Sequence, residues 1–357
     1  MTKKILFCSG GTGGHIFPSV ALTNFFSKKN YETMLVTDKR GEQYIKNNSL
    51  FYKTIDVVSS SQSGFMYKIF FYFKLIQAFF NSISLLRTEK PDIILGLGGY
   101  VSFPICLAAR LLNIKILLYE SNAVLGRTNK IFVRFCKKIF TNSENIQKLS
   151  KKYSFKSVRV GNILREEIFR LKLPQKDYSS LEKKIVILGG SQGAKVFGEL
   201  IPQVIVDLNK KYKISIVQQS LYSQVEEIKD FYNDNKIKNY VFSFEKNIIE
   251  FMSKAHLAIS RCGSSTLGEL EFLGVPFLAI PYPFAKDNHQ YENANYYKKK
   301  GCCWVLNQTN LNFHSLKEIL IKILDNNVEL SLKRENMLKS DSKNSLLKIE
   351  NEIEKLI

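Results

Sequence analysis

The sequence predicts an α/β protein with two domains, each built on a doubly wound parallel sheet. Short apolar segments of strand character alternate with helical segments along almost the whole chain, a pattern that gives parallel sheets covered by helices on both faces. Twice, at Ile5–Phe17 and at Ile185–Phe197, an apolar run passes through a glycine-rich turn into a helix. A chain of 357 residues is also too long for one ordinary core.

Strands are predicted where short apolar runs end in glycine or polar residues. In the first half of the chain these runs are Ile5–Cys8, Thr33–Val36, Asp92–Leu95, Ile114–Leu118, Ile139–Thr141 and Val158–Val160. In the second half they are Lys184–Leu188, Ile214–Val217, Tyr240–Phe242, Leu257–Ile259, Phe277–Ile280 and Cys303–Leu306. Helical segments separate most of them. In such sheets, ligands bind beyond the carboxyl ends of the strands.

The predicted domain boundary follows Gly161 and Asn162. Residues 1–163 then form the first domain and residues 164–337 the second, with a connecting helix at Arg165–Leu173 that ends before Pro174. The tail, about 338–357, is rich in Lys and Glu and carries Leu and Ile at helical spacing. We expect it to form a helix that packs back onto the first domain.

The net charge of +20 indicates anionic partners such as a phosphate-bearing ligand or an anionic membrane surface. A solvated basic surface is the simpler alternative. The chain shows no helix-turn-helix, RNP or basic-region signature, so we expect no nucleic-acid partner.

Its six cysteines form no C-x-x-C pair and its four histidines lie apart from them, which disfavours a zinc site or disulfides. The N-terminal apolar run is too short for a signal peptide, which predicts a cytoplasmic protein.

The segment Phe65–Leu86 is about as long as a membrane span, but Lys68 and Lys74 interrupt it. Three interpretations stay open: a helix packed on the sheet, a helix lying on the membrane surface, and a transmembrane helix. The two lysines make the transmembrane helix the least favoured of the three.

Polar and glycine-rich loops follow three predicted strands of the first half. The first loop, Gly10–His15, does not match the dinucleotide fingerprint, which would need glycine at Ile16. An NAD-dependent enzyme with Asp38 as its ribose acid is therefore only a weak alternative. The second loop is Gly98–Ser102, and the third contains Glu120 and Asn122. Glycines allow close backbone approach to an anion at a helix N-terminus, and carboxylate and carboxamide groups can bind sugar hydroxyls.

In the second half, the glycine turn contains Ser191 and Gln192, which can donate to a diphosphate, and Arg165 can reach the same anion. A run of small hydroxyl residues then opens a helix in which Glu269 can accept from a ribose diol. Gln290, after a proline-containing loop, suits hexose hydroxyls. No acidic pair of the D-x-D type stands at an expected nucleotide site, so we expect no tightly bound metal or other cofactor.

The motifs, taken together and in order, closely resemble those of the MurG family of peptidoglycan N-acetylglucosaminyltransferases, in glycosyltransferase family 28. They are GGTGGH, GGYVS, E-x-N with a trailing N-K, GN-x-x-R, GGSQGA, R-x-G-x-x-T-x-x-E and H-Q-x-x-N-A, between Ile5 and Ala294. The resemblance implies the GT-B architecture, in which two Rossmann-like domains face each other across a cleft. The sequence departs from the family at Ile163, where proline is usual, and at Cys262, where serine or alanine is more common.

The resemblance also implies roles for individual residues. The acceptor side would contain Thr12, Gly13, Gly14, His15, Tyr100 and Asn122. The residues that would contact UDP-GlcNAc are Thr12, Gly13, Gly14, Asn122, Arg165, Ser191, Gln192, Ser264, Ser265, Thr266, Glu269, His289 and Gln290. Of these, Arg165, Ser191 and Gln192 would meet the phosphates and Glu269 the ribose.

The reaction that follows is an inverting transfer of GlcNAc from UDP-GlcNAc to the MurNAc 4-hydroxyl of lipid I, which gives lipid II. His15 is the preferred catalytic base and Glu120 the second choice. The expected partners are UDP-GlcNAc, lipid I, an anionic membrane surface and other proteins of cell-wall synthesis. The expected location is the cytoplasmic face of the inner membrane, where the protein would be peripheral. Another GT-B nucleotide-sugar:lipid transferase is the main alternative.

Overall fold

The computed structural model describes residues 2–11, 13–45, 50–58, 64–190 and 194–357. The chain divides into two compact units. The first unit comprises Met1–Glu166 and Asp341–Ile357, and the second comprises Glu167–Ser340. The division after Glu166 lies a few residues beyond the boundary expected from the sequence.

In the described part of the first unit, seven parallel strands form one sheet in the order β3-β2-β1-β4-β5-β6-β7. The strands are β1 (Lys4–Cys8), β2 (Glu32–Thr37), β3 (Tyr52–Thr54), β4 (Ile93–Gly96), β5 (Lys115–Glu120), β6 (Lys138–Thr141) and β7 (Ser157–Arg159). The order reverses direction between β1 and β4, so the carboxyl ends of these two neighbours form the switch point where such sheets bind ligands.

Helices cover both faces of this sheet. They are α1 (Gly13–Ser27), α2 (Lys39–Glu42), α3 (Phe65–Glu89), α4 (Gly99–Leu111) and α5 (Arg127–Phe132). Successive residues of β1 enter different cores, because strand side chains alternate between faces. Leu6 and Cys8 pack in one cluster, and Ile5 and Phe7 in the other.

In the described part of the second unit, six parallel strands form a sheet in the order β10-β9-β8-β11-β12-β13. They are β8 (Glu182–Leu188), β9 (Lys213–Gln219), β10 (Lys238–Phe242), β11 (Leu257–Ser260), β12 (Phe277–Ala279) and β13 (Cys303–Val305). A short helix, α6 (Glu166–Phe169), lies at the boundary. The helices that follow are α7 (Lys195–Leu208), α8 (Val225–Asp234), α9 (Ile248–Lys254), α10 (Ser264–Leu273), α11 (His289–Lys299), α12 (Phe313–Asp325) and α13 (Asn327–Leu338).

The C-terminal helix belongs to the first unit. This helix, α14 (Ser345–Glu354), buries Ile349 and Ile353 in the core cluster that contains Ile5 and Phe7. The Ser345 hydroxyl donates to the carbonyl of Val160 over 2.8 Å and so ties the start of the helix to the end of β7.

The fold class is confirmed, and each predicted strand overlaps an observed one. Three details differ. The edge strand β3 was not predicted, because Tyr52–Thr54 is three residues long and lacks an apolar run. The connecting helix spans only Glu166–Phe169 rather than Arg165–Leu173. The tail is not one helix from 338, because α13 ends at Leu338 and Ser340, Asp341 and Ser342 favour turns over helix interiors.

Candidate active site

Three loops of the first unit leave adjacent strands at the switch point of the sheet. They follow β1, β4 and β5, and we call them together the N-terminal half-site: residues 9–15, 98–102 and 120–129. Gly13, Gly14 and His15 open α1, and Tyr100 is the second residue of α4. The first-turn N–H groups of both helices therefore lie at one sheet edge, where they can donate to an anion. Thr12 lies outside the described residues.

The first two loops of this half-site pack directly against each other. A β-carbon on Gly99, whose φ is +78°, would lie 2.6 Å from the carbonyl oxygen of Gly10. A β-carbon on Gly10 would in turn lie 2.5 Å from a methyl carbon of Val101. Both positions therefore require glycine.

Asp38 organises the first glycine loop. Its Oδ1 accepts from the N–H of Gly11 at 3.1 Å and from that of Gly41 at 2.9 Å, and its Oδ2 accepts from Arg40 at 2.7 Å. Burial alone would raise the pKa of Asp38, but these hydrogen bonds outweigh it and hold the pKa below the ordinary value. Both oxygens are thus used inside the loop, which disfavours Asp38 as a ribose acid of an NAD enzyme.

His15 lies where the first two loops meet. It is the third residue of α1, and its imidazole packs over Gly98, since a β-carbon there would lie 3.1 Å from His15 Cε1. The Ser19 hydroxyl, one turn later, donates to the His15 carbonyl at 2.8 Å and fixes the backbone of this turn. The ring is half-buried. It therefore combines a titratable nitrogen with a position beside two glycine loops.

Glu120 holds the third loop together. This residue is only 3% exposed. Its Oε1 accepts from the Asn122 N–H at 3.1 Å and from Asn122 Nδ2 at 3.0 Å. Its Oε2 accepts from the Gly126 N–H at 2.8 Å and from Asn129 Nδ2 at 2.9 Å. Four hydrogen bonds to one carboxylate favour a positioning role for Glu120.

Arg165 belongs to the first unit and lies over the ring of Phe17, with its guanidinium carbon 4.8 Å from the ring centroid. This cation–π contact orients the guanidinium next to Glu166, where the chain leaves the first unit.

In the second unit, the loops after β8, β11 and β12 form what we call the C-terminal half-site: residues 190, 194, 261–269 and 282–290. Gly190 has a φ of +82°, and a β-carbon placed on it would lie 4.0 Å from Arg261 Cβ. Ser191 and Gln192 lie outside the described residues. The first residues of α10 are Ser264, Ser265 and Thr266, and Glu269 is a buried residue of its second turn.

Gln290 joins two of these loops. Its Oε1 accepts from the N–H of Cys262 at 3.1 Å and from the N–H of Tyr282 at 2.9 Å. Asn293, one turn later, donates to the Cys262 carbonyl at 3.0 Å. The ring of His289 lies beside Gln290 at the start of α11, and its Nδ1 is 2.7 Å from the Lys286 carbonyl oxygen. The side-chain oxygen Oε1 of Gln290 therefore holds the loops of Cys262 and Tyr282 together, a use that its sequence pattern did not suggest.

Arg261, to which the sequence pattern assigns no role, is the buried centre of the C-terminal half-site. Its guanidinium donates to the Ile280 carbonyl at 3.1 Å and to Gln308 Oε1 at 2.6 Å. It also lies over the rings of Phe197 and Tyr282. The R-x-G-x-x-T-x-x-E motif contains Arg261 but does not show what it does. Its structural role becomes visible only from its hydrogen-bond partners, Ile280 and Gln308, which are distant in sequence.

Within the described residues, no group of three or more His, Cys, Asp or Glu side chains is arranged to hold a metal ion. The six cysteines are all buried and unpaired.

Family comparisons match almost the whole chain. The description "Glycosyltransferase family 28 N-terminal domain" matches residues 5–141, and "Glycosyltransferase family 28 C-terminal domain" matches residues 184–353. A protein of Pelagibacter ubique is 41% identical over 94% of both chains. The chain belongs to glycosyltransferase family 28. That Pelagibacter protein is named UDP-N-acetylglucosamine–N-acetylmuramyl-(pentapeptide) pyrophosphoryl-undecaprenol N-acetylglucosamine transferase. A Rickettsia felis protein of the same name is 36% identical over 94% of this chain and 95% of its own.

Solved structures of other proteins share the two-domain α/β architecture of this family 28 chain. The crystal structure of Acinetobacter baumannii MurG covers 99% of both chains with a TM-score of 0.80 and 26% identity. A UDP-GlcNAc 2-epimerase from Neisseria meningitidis, bound to UDP-GlcNAc, covers 98% of this chain and 100% of its own with a TM-score of 0.69. At 16% identity, the epimerase shares only the fold.

Proposed function

We propose that this chain transfers GlcNAc from UDP-GlcNAc to the MurNAc 4-hydroxyl of lipid I, giving lipid II for peptidoglycan synthesis. The observation that carries this function is the 41% identity, over 94% of both chains, to a transferase named for this donor and acceptor. The glycine-rich helix N-termini in both units support it, because the donor and the acceptor each carry a diphosphate.

The N-terminal half-site binds the acceptor in this proposal. The acceptor diphosphate receives hydrogen bonds from the first N–H groups of α1 and α4, in the loops that contain Gly13, Gly14 and Tyr100. Asn122 binds the sugar side. Asp38 and Glu120 hold these loops through their hydrogen bonds and are positioning residues.

The C-terminal half-site binds the donor. Glu269 accepts from the ribose diol, and the hydroxyls that open α10 donate to the diphosphate. Gln290 and His289 reach the GlcNAc hydroxyls. Ser191, Gln192 and Arg165 complete the set of diphosphate donors.

The reaction is a direct displacement at the anomeric carbon. The 4-hydroxyl oxygen forms a bond to that carbon, the bond from the carbon to the UDP oxygen breaks, and the configuration inverts. His15 takes the hydroxyl proton, and UDP leaves with the bonding electron pair. Backbone amides and Arg165 stabilise the charge that develops on the leaving diphosphate. Because these donors neutralise the charge, we expect transfer to continue in the presence of EDTA.

The α3 helix docks the first unit on the membrane. Within the described residues, α3 is the one helix long and apolar enough to cross a membrane. Its C-terminal half packs on the unit through Ala78, Ser82 and Leu86. From its start to Phe80, the helix exposes large apolar side chains on its other side, which we call the α3 outer face: Phe65, Met66, Ile69, Phe70, Tyr72, Phe73, Ile76 and Phe80. An apolar surface of this size on a basic protein favours docking on an anionic membrane.

The decisive experiment incubates the purified protein with radiolabelled UDP-GlcNAc and a lipid I analogue. We expect the label in the lipid product, with UDP-GlcNAc preferred in a panel of sugar nucleotides. Transfer from another sugar nucleotide, or to a lipid without MurNAc, would instead support the alternative GT-B lipid glycosyltransferase. A product with retained anomeric configuration would contradict the displacement.

A further inference from the structure

An apolar groove of about 220 Å³ lies in the first unit beside the N-terminal half-site. Seven of the nine side chains that line it are aliphatic or aromatic, and the other two are Arg127 and Thr128. The apolar lining consists of Val57, Val58, Phe71, Leu75, Tyr100, Phe103 and Ile131. Arg127 is the one ionisable cation among these lining side chains.

Three helices present one face each to this groove. Phe71 and Leu75 are one turn apart on α3, as are Tyr100 and Phe103 on α4. Ile131 lies one turn after Arg127 on α5. The spacing of three or four residues puts each pair on a single helix face. The groove is therefore formed by regular, packed elements, and Phe103 is held in turn by an edge contact with Phe132, 5.4 Å between ring centroids.

The groove begins where the acceptor loops end. Tyr100, one of its walls, is the second residue of α4, whose first N–H groups belong to the N-terminal half-site. Arg127, at another wall, follows Gly126, whose N–H is held by Glu120 at 2.8 Å. A diphosphate at the α4 N-terminus thus has an apolar channel on one side and an exposed guanidinium near it.

We propose that this groove binds the first isoprenoid units of the acceptor's lipid chain, with Arg127 close to the diphosphate to which that chain is joined. The inference rests on the proposed function, because it needs a diphosphate-linked polyprenyl acceptor. A polyprenyl chain leaves directly from the diphosphate, so its first units must lie within a few bonds of the anion site. The apolar lining matches a hydrocarbon, and the cation matches the charge next to it.

The size of the groove sets the length of chain that it holds. Pockets that enclose a drug-sized ligand measure roughly 300–1,000 Å³. A groove of about 220 Å³ holds a shorter segment, so the rest of the polyprenyl chain continues outside it. The groove and the α3 outer face lie on the same helix, so the chain can pass from Leu75 toward the membrane-facing side chains.

The test measures kinetics without membranes or detergent, on two water-soluble acceptors. Both carry MurNAc-pentapeptide diphosphate; one is esterified to a two-unit isoprenoid and the other to a methyl group. We expect the wild-type protein to show a KM at least about tenfold lower for the isoprenoid acceptor. Leu75→Ser should remove most of that difference and leave the KM for the methyl acceptor and for UDP-GlcNAc unchanged.

Two further variants keep the test decisive. Ile131→Ser alters the groove from a different, partly exposed position, and we expect the same loss as for Leu75→Ser. Leu111→Ser makes the same chemical change at an exposed leucine outside the groove and should behave as wild type.

Each outcome decides the proposal. Equal KM values for the two acceptors in the wild type, or equal losses on both acceptors in the groove variants, would overturn it. If the groove variants lost vesicle binding but kept the acceptor preference, the groove would hold a membrane lipid and the proposal would be wrong. If the wild type transferred GlcNAc to neither acceptor, the proposed function itself would fail and this inference with it.

Discussion

Gly99 lies so close to Gly10 that a β-carbon on Gly99 would be 2.6 Å from the Gly10 carbonyl oxygen. This contact joins the loop after β4 to the loop after β1. It makes the two glycine-rich turns one structural element, and it places the first turns of α1 and α4 side by side. The proposed binding of one diphosphate by both helices depends on this close approach.

Gly99→Ala should therefore separate the two loops. The left-handed backbone at φ +78° costs a residue with a β-carbon about 1–2 kcal/mol, and the contact with Gly10 adds to this. We expect a lower melting temperature and a higher KM for the acceptor, with the KM for UDP-GlcNAc little changed. Gly263→Ala is the matched control for stability, because its φ is negative and no atom lies within 4 Å of the added carbon. A Gly99→Ala protein with wild-type stability and acceptor KM would contradict the role of this contact.

The choice of base between His15 and Glu120 can be tested by comparing two substitutions. His15→Ala should lower kcat by about 10²–10⁴, the usual contribution of a general base, and leave the acceptor KM and stability close to wild type. Glu120→Gln should act differently. The NH₂ group of the new side chain would face the donor N–H groups of Asn122 or Asn129. The lost hydrogen bonds should cost about 1–3 kcal/mol of stability and raise the acceptor KM. A loss of kcat in Glu120→Gln as large as in His15→Ala, at full stability, would make Glu120 the base.

Gln290 offers a test of donor binding that separates structure from recognition. Gln290→Glu keeps an oxygen that accepts from the Cys262 and Tyr282 N–H groups, so the fold should be retained. The new negative charge repels the donor diphosphate, and we expect the KM for UDP-GlcNAc to rise by about tenfold or more. Gln290→Leu removes the acceptor and should destabilise the protein by about 1–3 kcal/mol. Equal destabilisation by the two substitutions would contradict this division.

The sequence predicts the repeated parallel sheets well, because strand and helix patterns are local. It also indicates most of the loops that form the two half-sites. It does not show how polar side chains are used within them. Asp38 suggested a ribose acid, yet its carboxylate binds the Gly11 N–H in the structure. Gln290 suggested a sugar ligand, and its side-chain oxygen has the further use of binding the Cys262 N–H. Hydrogen bonds between residues 27 or 28 positions apart depend on the tertiary fold, which no local pattern encodes.

Membrane docking by the α3 outer face predicts a measurable loss in vesicle binding. Phe73 is 64% exposed, and its transfer into the membrane interface would contribute about 1.5–3 kcal/mol. Phe73→Ser should therefore weaken binding to anionic vesicles by about tenfold or more in a flotation assay. Leu347→Ser, at an exposed leucine of α14, is the control and should bind as wild type. Binding that ignored the anionic lipid content would count against this docking mode.

The stability of the second unit should rise with pH because of His256 and Lys176, which precede the strands β11 and β8. Burial and the nearby charges of Lys176, Lys183 and Lys184 lower the pKa of His256 to about 4, and its Nδ1 accepts from the Lys184 N–H at 2.9 Å. Burial, with the charge of Arg334, lowers the pKa of Lys176 to about 6. The Lys176 amino group donates to the carbonyl of Ala255.

The direction follows from proton uptake by the unfolded chain. Unfolded His256 binds a proton near pH 6.5 and folded His256 only near pH 4, so the unfolded state holds more protons between these values. The same is true of Lys176 between about pH 6 and 10.5. Stability is therefore lost as pH falls through both windows, by at most about 1.4 kcal/mol per pH unit for each group.

We expect urea midpoints for the second unit to increase from pH 5 to pH 9. Lys176→Met should flatten the rise between pH 7 and 9, and His256→Gln should flatten it between pH 5 and 6. A wild-type midpoint that stays flat across pH 7–9, as in Lys176→Met, would show that Lys176 is charged in the folded protein.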